Sequence, residues 1–195
     1  MTRDDAYTLL TEYVTDPSLI RHMLGVEVAM RAYARKLGGD EELWGQVGLL
    51  HDFDYQRWPD PPDHPLQGSA ILRAHGYPEE LIYAILSHAD YLSDRYPRVH
   101  PIDKALYACD ELAGLITATA ILRPNGILDL TASSVKKKMK NKQVARSIKR
   151  EDIDRGAADL GVDLTEHIQF EIDAMKTVVA ELCLERGAAR DGEGA

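Results

Sequence analysis

The sequence predicts an all-α fold, a single globular helical bundle, on three observations. Apolar residues recur at three- and four-residue spacing, Asp, Pro and Gly fall where helices would start and stop, and no two alternating apolar segments are joined by a hairpin turn. With 195 residues, 45% apolar and 28% charged, the chain is long enough for one domain with a sizeable core. We place that domain at residues 1–186, its core at 17–122, and a frayed, flexible tail at 187–195.

A first helix is predicted over Asp4 to Val14, and Asp16-Pro17 opens a longer one to Leu37, closed by Gly38-Gly39. Asp40 caps a third, whose stripe of Leu43, Val47 and Leu50 leads into His51-Asp52. The run Trp58-Pro-Asp-Pro-Pro ends it, and Pro65 starts a fourth that stops at His75-Gly76. Pro78 opens a fifth from Glu79 to Tyr91, and Pro101 opens the most apolar one, Ile102 to Leu122, ended by Arg123-Pro-Asn-Gly. A polar link and a basic segment follow, then a short helix from Glu151 to Leu160 and a long one from Leu164 to Arg186. The stripe Leu164, Ile168, Ile172, Met175, Val179 and Leu182 suits either the protein's own core or a homodimer.

The net charge of −9 argues against general nucleic-acid binding. Residues Lys136 to Arg150 nevertheless hold eight basic side chains and no acid, so removing them leaves −17 on the remainder. The segment reads as a solvated basic face or as a funnel for an anionic substrate. The start lacks a basic and then apolar leader, and no apolar run reaches the ~20 residues that span a bilayer, so a cytoplasmic protein without membrane contact is expected. Cys109 and Cys183 form no CxxC and sit among apolar neighbours, as reduced, buried thiols do.

Metal-capable side chains fall in the order His22, His51-Asp52, His64, His88, Asp110, with gaps of 28, 11, 23 and 21 residues. Imidazole with carboxylate suits Mn, Fe, Co, Ni or Zn, whereas an all-oxygen set would suit Mg or Ca. Adjacent residues on a helix diverge by roughly 100°, so the carboxylate of a His-Asp pair can reach one metal while the imidazole holds another. His22 shares a face with Val26, Ala29 and Met30, and His88 with Leu81, Ala84, Ile85 and Leu92, so both should point inward. Asp110 lies on a stripe with Leu106, Ala113 and Thr117, where an unpartnered carboxylate would cost several kcal/mol and a metal would compensate it. His75, His100 and His167 fit helix punctuation or the first turn of the last helix and are read as structural.

This order resembles the HD-domain superfamily of metal-dependent phosphohydrolases, specifically its six-ligand dinuclear subset, over Ile20 to Ala120. Leu49-Leu-His-Asp-Phe and Leu106-Tyr-Ala-Cys-Asp-Glu-Leu are also similar to that family. The resemblance implies two divalent transition-metal ions. One would take His22, His51, Asp52 and Asp110; Asp52 would bridge to the other, completed by His64, His88 and solvent. Phe53-Asp54 stands where the HDIG group carries Ile-Gly, no Glu-Asp follows the pair as in alarmone hydrolases, and Ala89 follows His88 where HD-GYP enzymes carry a second His.

The implied reaction is hydrolysis of a phosphoric mono- or diester in a small phosphorylated substrate, a nucleotide being one class, by a hydroxide bridging the metals. Asp52 is then a catalytic residue through its bridge. Lys104, Arg123, Lys136 and Lys138 are candidate donors to the phosphoryl group, with further lysines to Lys142, and Asp54 and Asp103 are candidate proton donors. The same six ligands would also suit a mixed-valent di-iron oxygenase of the HD type. A metal-stabilised domain that senses a nucleotide without turnover is the non-enzymatic alternative.

Overall fold

The computed structural model describes residues 1–141 and 148–186, and among these every regular element is helical. The helices are α1 (Arg3–Tyr13), α2 (Pro17–Leu37), α3 (Glu41–Leu50), α4 (Asp63–Ala74), α5 (Glu79–His88), α6 (Pro101–Ile121), α7 (Ala132–Met139), α8 (Arg150–Leu160) and α9 (Leu164–Lys176). Most starts follow the expected chemistry. Thr2, Asp16, Asp40 and Asp163 each accept hydrogen bonds from backbone N–H groups of the first turn, and Pro17 and Pro101 occupy first helical positions.

Three boundaries differ from the sequence expectation. The fifth helix ends at His88, because Ala89 leaves helical geometry and a single tight turn over Asp90–Leu92 follows. A helix, α7, spans the end of the polar link and the first lysines of the basic segment, hidden in the sequence because only Ala132 and Val135 are buried in it. The last helix stops at Lys176 and not at Arg186. Thr177 donates its hydroxyl proton to the Ala174 carbonyl at 2.7 Å, the β-branched Val178 and Val179 follow, and the chain turns so that Leu184 accepts from the Ile127 N–H at 2.9 Å. Residues 142–147 of the basic segment and the tail 187–195 lie outside the described residues.

Two apolar clusters build the core. Residues of α1, α2, α3, α5 and the first half of α6 form one, and the second half of α6 with α7, α8 and α9 forms the other. Helix α6 runs through both, with α8 along its side and α2 packed against α3, α6 and α9. The apolar stripe of the last helix goes into this second cluster. Ile168, Ile172, Met175 and Leu182 are fully buried, so this part of the stripe covers the protein's own core, while Leu164 and Val179 are half-buried at its edge. Cys109 is buried as expected; Cys183 is exposed, because it falls in the turn after α9. Among the described residues no helix is long and apolar enough to cross a membrane.

His167 is a buried hinge pin between helices. Its Nδ1 accepts from the Tyr33 hydroxyl at 2.6 Å and its Nε2–H donates to the Ala108 carbonyl at 3.0 Å, tying α9 to α2 and α6. Burial holds its pKa below the ordinary value, which keeps the ring neutral for that pair of bonds. We expect His167→Ala to cost about 2–4 kcal/mol of stability, since it strands a buried hydroxyl and a buried carbonyl. Chemical denaturation should show that loss while the bound-metal content at saturating metal stays that of the wild type.

Candidate metal centre

Five helices deliver the six residues. His22 lies in the second turn of α2, His51 is the first residue beyond α3, His64 sits at a kink opening α4, His88 is the last residue of α5 and Asp110 is mid-α6. Helix ends favour such convergence, because the backbone can change direction there and bring a side chain into a shared space. At His64 the backbone is extended before the helix proper, which turns the imidazole toward His88.

The Asp52 carboxylate lies between two pairs of imidazoles. Its Oδ1 is 3.2 Å from His64 Nε2 and 3.5 Å from His88 Nε2. Its Oδ2 is 3.6 Å from His51 Nε2 and 3.9 Å from His22 Nε2. Asp110 Oδ1 completes the second side at 3.1 Å from His22 Nε2 and 3.5 Å from His51 Nε2. Within each pair the Nε2 atoms approach to 3.2 Å for His22 and His51 and 3.3 Å for His64 and His88. Two groups of donors result, His22, His51, Asp52 and Asp110 on one side and Asp52, His64 and His88 on the other, and each could hold a metal ion.

The far nitrogens show why Nε2 faces inward. His51 Nδ1–H donates to the Gly48 carbonyl at 2.8 Å, His64 Nδ1–H to Asp54 Oδ1 at 2.7 Å, and His88 Nδ1–H to the Ile85 carbonyl. A proton held on Nδ1 leaves the Nε2 lone pair for a cation, the tautomer that metal ligation needs. Asp54, a candidate proton donor in the sequence, is placed behind His64 and does not line the cleft. It is fully buried, and its second oxygen accepts from the Gly68 N–H at 2.7 Å, so it orients His64 from behind. Gly68 is required there, since a Cβ would stand 2.7 Å from the Asp54 carboxylate.

Electrostatics fit the same occupant. Burial alone would lower the pKa of His51, but Asp52 and Asp110 outweigh it and raise it to about 9. For His64 burial is again overcome, by Asp52 and Asp54, and the pKa rises to about 10. Burial opposes charge on Asp52 and Asp110, yet His51 and the neighbouring imidazoles hold both carboxyls well below their usual range. Protons thus balance the two carboxylates in the metal-free protein, in the place where divalent cations would do so.

The cluster opens into a cleft of about 750 Å³. Arg21 and Lys149 supply positive charge on its walls, Tyr55, Tyr91 and Tyr107 supply aromatic surface, and Glu111 and Asp152 add carboxyls. Burial, then Asp110, raises the Glu111 pKa to about 7, and its Oε2 accepts from the Lys149 N–H at 3.3 Å. Sequence reasoning missed these wall residues. The available signals were the adjacency of Arg21 to His22 and of Glu111 to Asp110.

The donors chosen from sequence lie elsewhere. Lys104 is not on the cleft, being placed around α6 from Asp110 by the helical pitch. Arg123 is engaged by Asp129 at 2.8 Å. Lys136 donates to Thr165 Oγ1 at 2.8 Å, and neither it nor Lys138 lines the cleft, because α7 packs against α9. Asp103 caps α6, accepting from the Val99 and His100 N–H groups at 3.1 and 2.9 Å. Lys142 lies outside the described residues.

Imidazoles and carboxylates gathered from five helices around one cleft form a donor set that could hold divalent metal ions. The chain belongs to the HD-domain superfamily: the HD domain matches residues 19–115, a span that contains all six of these residues. HD domains are typically metal-dependent hydrolases. No match was found among curated proteins or among solved structures.

Removing the carboxylate behind His64 should weaken metal binding without touching a ligand. We expect Asp54→Ala to reduce affinity by about 10–100-fold, read by competition with a chromogenic chelator. A second expectation follows from the raised imidazole pKa values. Both lie above the unfolded value of ~6.5, so this pairing stabilises the metal-free fold fully below that pH and is lost as pH rises through about 9 to 10. The metal-free protein should melt at lower temperature at pH 10 than at pH 7, whereas apparent affinity for a divalent ion should rise from pH 6 toward about 9 to 10, because an ion must displace the protons that His51 and His64 hold.

Proposed function

We propose that the protein is a metal-dependent phosphohydrolase that cleaves a phosphoric mono- or diester of a small molecule, a nucleotide being one candidate. The observation that carries this reading is the two-sided Asp52, one oxygen turned to each imidazole pair. Such a carboxylate would bridge two divalent transition-metal ions. One would rest on His22, His51, Asp52 and Asp110, the other on Asp52, His64 and His88. Bound there, the ions would supply Lewis acidity toward phosphoryl oxygens and a nucleophile drawn from solvent at neutral pH.

The chain's own residues would do the positioning. Asp54, the Gly48 carbonyl and the Ile85 carbonyl fix the imidazoles, so little reorganisation is needed when charge develops. Arg21 and Lys149, and not Lys104, Arg123, Lys136 or Lys138, are our candidates to neutralise the non-reacting phosphoryl oxygens, because they line the cleft. The three tyrosines offer stacking surface to the ester's alcohol.

Metal-stripped protein resupplied in turn with Mn, Fe, Co, Ni or Zn should release phosphate or alcohol from a panel of nucleotides and aryl phosphates without oxygen. Asp52→Ala should lower that rate by at least about 1,000-fold and reduce bound metal, since it removes a ligand from both sides. Undiminished turnover in Asp52→Ala would refute the two-metal reading. Turnover that requires iron and consumes oxygen would point to the oxygenase chemistry compatible with the same ligands.

A further inference from the structure

The described residues of the basic segment contribute to two cavities. Ile148 and Lys149 line the metal cleft, whereas Lys136, Lys137, Lys140 and Arg150 line a separate cavity of about 700 Å³ between α7 and the starts of α8 and α9. The six residues of the metal centre are absent from its walls, and among the described residues Asp154 is the one carboxylate that lines it, with Lys136, Lys137, Lys140 and Arg150. That balance stands out in a chain of net charge −9. Most of the wall surface is apolar, with Met139 and Leu164 among its sources, Ser133 and Thr165 add hydroxyls, and Lys136 donates to Thr165 Oγ1 at 2.8 Å. The positive field comes from these side chains and not from the start of α9, whose first N–H groups are already taken by Asp163.

We propose that this cavity is a second binding site, for a small soluble polyphosphate anion, and that its occupancy reaches the metal cleft through residues Ile148 to Asp154. The volume is that of a small-molecule site, and four cations around a concavity favour a compact, multiply charged ligand over a single carboxylate. An extended polyanion or a membrane would instead call for a flat or continuous basic stripe.

The shared wall supplies the coupling. Arg150 lines the anion cavity and donates to the Ile148 carbonyl at 2.7 Å. Ile148 and the next residue, Lys149, face the metal cleft, where the Lys149 N–H holds Glu111. One turn along, Asp152 lines the metal cleft and Asp154 the anion cavity. An anion that draws the Arg150 guanidinium toward itself therefore pulls directly on the backbone that walls the catalytic side.

The test is calorimetry of the full-length, metal-stripped protein with inorganic tripolyphosphate, which keeps it independent of any hydrolytic activity. Saturable binding is expected, weakened at least tenfold in K137E/K140E and unchanged in Asp52→Ala. Should the charge-reversed pair misfold by circular dichroism, K137Q/K140Q decides with a smaller loss in the same direction. Backbone hydrogen exchange in residues 148–154 should slow when the anion binds. No binding, binding indifferent to both lysine pairs, or binding lost in Asp52→Ala overturns the site. Retention by phosphatidylserine vesicles without binding of free tripolyphosphate overturns the soluble ligand, and unaltered exchange in 148–154 overturns the coupling.

Discussion

A carboxylate set between four imidazoles imposes its demands on the whole bundle. Asp52 can present one oxygen to His64 and His88 and the other to His22 and His51 only if four separate helices end or pass within a few ångströms of it. A second carboxylate, Asp110, adds negative charge to the same space. Such charge is costly to desolvate unless cations or protons balance it, so the imidazoles must be held with Nε2 inward and must not drift. The bonds behind them, to Asp54 and to two backbone carbonyls, meet that requirement.

Helix packing explains how so demanding a centre is kept in register. Helix α6 carries Asp110 and belongs to both apolar clusters, so its position is fixed from two sides. His167 fastens α9 to the backbone of α6 at Ala108, two residues from Asp110, and to Tyr33 on α2, the helix that also carries His22. The α9 side of the second cluster thereby helps to fix the spacing of the two helices that carry His22 and Asp110. On the other side, the close approach of Gly68 to Asp54 lets α4 begin directly against the site.

The lysine-rich segment acquires a different meaning once α7, α8 and α9 are in place. Among the described residues its charges do not converge on one target: α7 lies against α9 and brings Lys136 and Lys137 to one cavity, while the start of α8 delivers Lys149 to the other. A run of like charge in sequence states only that the segment is positive. Which cavity each charge serves depends on the path of the backbone between them, and neighbouring residues such as Lys149 and Arg150 end on opposite sides of one wall.

The sequence by itself determined the all-α class, most helix starts and the six residues that converge. Capping side chains, prolines and apolar spacing act locally, and an inward-facing His or Asp on an apolar stripe is legible from the helical period alone. The residues around those six were settled only by tertiary structure. Asp54 reads as a free acid beside the His-Asp pair until α4 closes over it and Gly68 donates to it. Arg123 reads as a donor until the carboxylate of Asp129 engages it, whereas the turn of α6 that separates Lys104 from Asp110 is already legible in the helical pitch. The end of α9 is decided by Leu184 meeting Ile127, a contact between residues far apart in sequence. Local propensity has no term for such contacts: they depend on which elements the fold brings together, and that is where the walls of the site and the division of the basic segment were decided.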